Sequence, residues 1–226
     1  RGVLILGRAG DRFLNDPMHR PVPARITQFR EPGYVHPFVP VPQVQRAYYA
    51  GFGDKGTAEL SLGGWGWHHE AGIRVLRLIL GKVFDHLPDL QAVGSHWGEI
   101  VPLFLNRLDD VLSSGGTGLS RTITGTYRSD VWVTPTGMEH RAEFEFVCAA
   151  VGLDRVIWST GCPLLHLRSV PDFIDGRDLT AGEQAAMTRG VEPGRFTSPS
   201  GSAAAPPAPA TYPQYEPAQA LLAFRS

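Results

Sequence analysis

Five short apolar runs constrain this chain more than any other feature. They are Val3 to Leu6, Tyr34 to His36, Leu90 to Gly94, Val131 to Thr134 and Val156 to Trp158. Each is too short for a helix, and most stop at Gly, Pro or a polar residue. Continuous apolar runs of this length mark strands buried on both faces, as in parallel sheets. Between them lie stretches with helical spacing. Ile73, Leu76, Leu80, Val83 and Phe84 form one stripe within Trp67 to Leu87, and Pro88 ends it. Val101, Phe104, Leu105, Leu108 and Leu112 form another within Glu99 to Leu112. Arg141 to Val151 and Leu179 to Arg189 read as two further helices, the last with Thr180 as N-cap and Glu183 three residues on. Strand–helix alternation of this kind predicts an α/β fold with a parallel sheet, open or closed into a barrel. A closed barrel needs about eight strands. The sequence shows five, so the expectation is a partial TIM (β/α) barrel lacking its first strands, which would precede Arg1.

Two segments are expected to be irregular. Pro21 and Pro23 fall inside a possible helix from Pro17 to Phe29 and argue against it. The glycine-rich stretch Gly51 to Gly66 reads as a flexible connection. Residues 1–196 are expected to form one barrel-type domain. From Thr197 onward the Ala/Pro/Ser-rich tail, residues 197–226, carries almost no charge and is expected to stay disordered.

Composition narrows the function classes. The 226 residues carry a net charge of -1 and no long basic run, so nucleic acid is not an expected partner. The longest apolar stretch, Ile73 to Phe84, is interrupted by Arg74, Arg77 and Lys82, so no membrane span is expected. Two cysteines, Cys148 and Cys162, do not make a disulfide framework, which fits a cytoplasmic location.

In a barrel, catalytic groups sit at the C-terminal ends of strands. His36 closes the second strand, His96 closes the third with Glu99 just beyond, and Ser159 and Thr160 close the fifth. A neutral imidazole at such a place can bind a divalent metal or simply satisfy a backbone carbonyl. A carboxylate beside an imidazole orients the ring and favours its protonated form, which suits proton transfer. Glu99 equally suits the first turn of a helix, where it complements the dipole. Trp65, Trp67 and Trp97 could line an aromatic pocket or belong to the core. His68 and His69 precede a helix and could as well be surface groups, and Cys148 reads as core.

Seven segments occur together in a recognisable order: Tyr34-Val35-His36-Pro37, Ala47 to Phe52, Gly64-Trp65-Gly66-Trp67-His68, Ser95-His96-Trp97-Gly98-Glu99, Leu105 to Asp109, Val133 to Met138 and Ile157 to Thr160. In this the chain resembles the amidohydrolase-related decarboxylases, the group of γ-resorcylate and aminocarboxymuconate-semialdehyde decarboxylases, over about Gly2 to Phe196. The resemblance implies a metal-dependent, non-oxidative decarboxylase-like protein acting on a hydroxylated aromatic or related carboxylic acid. It implies zinc or manganese as cofactor, with His36 as a metal ligand. His96, Glu99 and Arg107 take the catalytic positions. The implied partner is a small carboxylic acid, with assembly into a homo-oligomer left open. Two alternatives stand beside it: a hydrolase of the same superfamily acting on an ester or lactone, and a catalytically inactive barrel fragment. The sequence departs from the family pattern at three places. The first-strand pair of metal ligands is absent, Gly161 stands where a ligating aspartate is expected, and Gly190-Val191 replaces Gly-Asn near the final helix. Ser95 in place of Gly is a milder change. These departures imply a protein with weak or no turnover.

Overall fold

A computed structural model describes residues 2–6, 8–10, 12–113, 116–138, 140–159 and 180–188. Four strands make one parallel sheet in the order β1 (Val3–Leu6), β2 (Gly33–His36), β3 (Ala92–Gly94) and β4 (Val131–Val133). Leu6 pairs with His36, Tyr34 with Val93, and Val93 with Trp132, so sequence neighbours are spatial neighbours. The fifth apolar run joins through a single parallel bridge, Val156 to Val133, rather than a full strand.

Among the described residues, seven helices of eight residues or more flank or connect the strands: α1 (Pro21–Gln28), α2 (Gly53–Ser61), α3 (Gly66–Leu80), α4 (Val101–Leu108), α5 (Ile123–Asp130), α6 (Arg141–Val151) and α7 (Ala181–Thr188). Shorter turns lie between them, including the one-turn helix Val83–His86. The main core lies between the helices and one sheet face. It is built from Ile26, Val35, Val75, Leu78, Ile79, Phe84, Leu105, Tyr127, Val131, Val133 and Val147, among others. The opposite face carries only a small cluster of Val93, Trp132 and Ile157 with Tyr34 against it. On β1, Leu4 and Leu6 are exposed. Among the described residues, no helix is long and apolar enough to cross a membrane.

Several expectations change. Pro21 and Pro23 do not forbid α1; Pro21 is its first residue. The first turn of a helix leaves its N–H groups unbonded, so a residue without one costs nothing there. The glycine-rich stretch is not a loose connection either, because α2 occupies Gly53–Ser61. The long helix predicted from Trp67 to Leu87 stops at Leu80. Gly81 caps it and Lys82 turns left-handed before the next turn begins. The tail at 197–226, Gly161 and Gly190-Val191 lie outside the described residues.

Candidate active site

The site is organised by a turn that runs the wrong way round. Directly after β3, five consecutive residues hold positive φ: His96 (45°), Trp97 (55°), Gly98 (76°), Glu99 (56°) and Ile100 (72°). Left-handed backbone costs a residue with a Cβ about 1–2 kcal/mol, so four such residues within one five-residue turn need support from outside it. That support is specific. The Trp97 N–H donates to the Thr134 carbonyl at 2.8 Å, and Gly98 N–H to the Ser95 carbonyl at 2.8 Å. The Trp97 indole N–H reaches the Met138 carbonyl, and the buried Tyr127 hydroxyl reaches the Gly98 carbonyl at 3.3 Å. Burial pushes the Tyr127 hydroxyl pKa far up, with the charge of Glu99 adding to the shift, so it stays a donor.

The turn places two side chains at once. His96 comes back over its own backbone, and its Nδ1 meets Glu99 Oε1 at 2.7 Å. The Glu99 carboxyl is fully buried, and its Oε2 meets Nδ1 of His68 at 2.8 Å. His68 sits in the first turn of α3. It gets there because Gly72, one turn later on the same helix face, presses on the turn itself. A Cβ at Gly72 would lie 2.6 Å from the Glu99 carbonyl oxygen. The two imidazoles stand edge to face with centroids 4.5 Å apart.

The protonation of His68 follows from its partners. Nδ1 faces a carboxylate and Nε2 faces the Gly63 carbonyl at 3.0 Å. Both partners accept only, so both ring nitrogens must donate, which is the imidazolium form. The hydrogen bond to Glu99 is the main force raising the His68 pKa; burial opposes it, and the charge of Glu99 and the Gly63 carbonyl add to the rise. A raised folded-state pKa stabilises the fold fully below the ordinary imidazole value near 6.5. That stabilisation is lost as pH climbs through the folded value. The stability gap between wild type and His68→Gln is therefore expected to shrink as pH rises above about 6.5. Urea unfolding at a series of pH values measures it, and a gap independent of pH would contradict the imidazolium assignment.

A cavity of about 560 Å³ opens over this network. Its apolar walls include Trp65, Trp97, Pro102, Leu103, Met138, Phe146 and Val147, while His68, His96, Glu99 and Glu143 supply polar edge. His96 spends Nδ1 on Glu99, and no described protein group bonds its Nε2. That nitrogen is therefore the histidine's free polar atom beside the cavity.

The structure thus brings His96 and Glu99 together and adds His68, for which the sequence leaves a surface place equally open. His36 stands apart from this group. It closes β2 half-buried, and its Nδ1 lies 2.8 Å from the Pro37 carbonyl, so Nδ1 donates and Nε2 keeps its lone pair. The neighbouring backbone is held by Arg74, whose guanidinium donates to the His36 carbonyl at 2.7 Å. Arg74 is buried against Glu70, which also binds Arg8 at 2.8 Å, and burial lowers the Arg74 pKa to about 10. Arg107 lies exposed in the last turn of α4, away from the cavity lining. Trp65 and Trp97 line the cavity, and Trp67 does not. Ser159 ends a chain of hydroxyls running Tyr34, Thr134, Thr136, Ser159 across the strand ends.

His68, His96 and Glu99 also offer ligand atoms that all lie within 4.8 Å of one another, the separation a metal ion could span. Around a tetrahedral ion with metal–ligand bonds near 2.1 Å, neighbouring ligand atoms sit roughly 3.4 Å apart. The nitrogen–oxygen gaps here are 2.7 and 2.8 Å, which fit a shared proton. An ion could enter only by displacing those protons. His36, with a free Nε2, suits a metal ligand, but it is a single one. Position 161, where the resemblance expects an aspartate, is glycine and offers no side-chain ligand. His36 is thus a residue suited to hold part of such an ion site.

Comparison with known proteins places the chain among related sequences. The family model described as Amidohydrolase matches residues 1–190. The decarboxylase orsB of Emericella nidulans is 26% identical over 191 residues, which is 82% of this chain and 58% of that protein. Gamma-resorcylate decarboxylases are further curated matches, that of Rhodococcus jostii being 25% identical. A Staphylococcus aureus protein assigned as an amidohydrolase superposes with a TM-score of 0.79 at 30% identity, covering 83% of this chain and 61% of that one. The 5-carboxyvanillate decarboxylase of Novosphingobium aromaticivorans was solved with manganese and 4-hydroxy-3-methoxy-5-nitrobenzoic acid. It superposes at 0.72 with 25% identity over 82% of this chain and 53% of that one. The chain therefore spans less than two thirds of the proteins it matches. Such structures are TIM barrels, and the parallel sheet here has the fold of a consecutive part of one.

Proposed function

The chain belongs to the amidohydrolase family, and from the geometry over Glu99 we propose that it is a non-oxidative decarboxylase-type protein whose cavity takes a hydroxylated aromatic carboxylate. The observation that carries this reading is the buried Glu99 carboxylate bridging two imidazoles, with His96 Nε2 free at the edge of an aromatic-lined cavity. Decarboxylation of an aromatic acid needs a proton delivered to the ring carbon that bears the carboxylate. The carbon–carbon bond then breaks, its electron pair restores the ring, and CO2 leaves; nothing is oxidised. Protonated His96 would supply that proton from Nε2 and recover it from solvent, with Glu99 holding the ring through Nδ1. Apolar walls disfavour a charged carboxylate and tolerate neutral CO2, which assists the bond cleavage.

In relatives that hold manganese, the ion would supply a positive charge for the acid's oxygens. In this chain His36 would be one of the residues to hold such an ion. The test is CO2 release from 2,6-dihydroxybenzoate by the full chain. Release by wild type that drops at least about a hundredfold in His96→Asn supports the reading, the range expected of a lost general acid. A folded protein that releases no CO2 would overturn it in favour of an inactive barrel fragment, which Gly161 and the exposed Leu4 and Leu6 of β1 also suit. Two organic fragments from an ester or lactone, with no CO2, would point to the hydrolase instead.

A further inference from the structure

The cavity holds a second unmet polar atom that the proton chemistry does not use. Glu143 lines it from α6, with Ala142, Phe146 and Val147 beside it on the same wall. Its Oε2 is buried and has no hydrogen-bond partner. The Trp65 indole N–H is a donor, and most other polar atoms of the cavity side chains are already bonded. Both nitrogens of His68 are bonded, each Glu99 oxygen takes one imidazole, and the Trp97 N–H goes to the Met138 carbonyl. The acceptor that the proton chemistry leaves for a ligand is therefore the Glu143 carboxylate. A buried acceptor left unmet is costly, more so when charged, so a ligand that fills it recovers that cost.

We propose that Glu143 is a specificity-determining residue that accepts a hydrogen bond from a ring hydroxyl of the aromatic ligand. The chemistry of the cavity selects that donor over others. A carboxylate beside Glu143 would meet like charge. An ammonium would suit Glu143 but would share the cavity with the His68 imidazolium. A phenol hydroxyl is a neutral donor on an apolar ring and matches both the walls and the free oxygen. With the hydroxyl on Glu143, the ring is held in one orientation relative to His96. Glu143 thus helps decide which ring carbon faces the proton donor. This inference rests on the reading that the cavity takes an aromatic ligand.

Resorcinol and 1,3-dimethoxybenzene test it, because methylation removes the donor and keeps the ring. Binding to the full 226-residue chain can be read from tryptophan fluorescence, since Trp65 and Trp97 line the cavity. Wild type is expected to bind resorcinol at least tenfold more tightly than the dimethyl ether. In Glu143→Ala the two are expected to bind within about twofold of each other. Glu143→Gln, which keeps an acceptor oxygen without the charge, is expected to fall between, and it serves if the alanine variant does not fold. An undiminished preference in either folded variant, or no preference in wild type, would overturn the proposal. Neither probe carries a carboxylate, so absence of decarboxylation would leave the result standing. Turnover without hydroxyl preference would sink this inference alone.

Discussion

Glu99→Ala is expected to abolish proton delivery and to destabilise the fold by about 3 kcal/mol or more, the cost of removing one partner from a buried charge pair. The carboxylate is fully buried and serves two imidazoles at once. Without it the His68 imidazolium loses its counter-charge, and the pKa of that ring must fall. His96 loses the bond that fixes its ring and its tautomer. Glu99→Gln separates these effects. The amide can accept from one imidazole through its oxygen, but its nitrogen donates and cannot face a second N–H. One histidine must then present a lone pair. For His68 that means the neutral form, with Nε2–H still on the Gly63 carbonyl. The glutamine variant is therefore expected to stay closer to wild-type stability, to lose the pH-dependent part of it, and to turn over at least about a hundredfold more slowly. Urea titrations at two pH values and a CO2 assay read all three. Wild-type pH dependence in the glutamine variant would show that Glu99 does not hold His68 charged.

Gly98→Ala is the largest expected effect on folding. Gly98 lies in the middle of the left-handed turn at φ 76°. An added Cβ would sit 2.2 Å from the Tyr127 hydroxyl oxygen and 3.0 Å from both Pro102 and Val133 side chains. Left-handed strain of about 1–2 kcal/mol adds to overpacking of about 1–3 kcal/mol. A loss of about 3 kcal/mol corresponds to a drop in Tm of roughly 6–12 °C for a chain of this size. The closest obstacle is one oxygen atom, so Tyr127→Phe in the same chain is expected to return part of the loss. A Gly98→Ala protein that melts like wild type would show that the turn is not as described.

Much of the frame was legible because it depends on local pattern. The runs at Leu90 and Val131 became strands buried on both faces of the parallel sheet, and those at Val3 and Tyr34 joined it with one face less covered. Arg141–Val151 became a helix with the same bounds that the sequence suggested. What was misread depended on position within an element. The same proline that breaks a helix in its middle starts one at its first residue, which is where Pro21 lies. Glycines at 53 and 56 were read as flexibility, yet they belong to α2.

The site divides in the same way. His96 and Glu99 are three residues apart, and their pairing could be anticipated from proximity. The left-handed turn that makes it possible could not, since four of its five residues have a Cβ and only Gly98 advertises positive φ. His68 was missed because its partner is 31 residues away. The one local hint was Gly72, a small residue one helical turn after His68, where α3 touches the Glu99 backbone. Arg107 shows the converse. Its place in the motif order suggested the site, while its helix carries it to the exposed side.

One buried carboxylate holds His68 as a cation and leaves His96 with Nδ1–H and a free Nε2. Nitrogen-15 NMR of the labelled imidazoles tests this most directly. As pH rises through the range where an ordinary imidazole loses its proton, near 6.5, His68 is predicted to keep protons on both nitrogens. His96 is predicted to carry a proton on Nδ1, where it meets Glu99. A His68 ring that shows one bare nitrogen at that pH, or a His96 ring protonated at Nε2 and bare at Nδ1, would contradict the account.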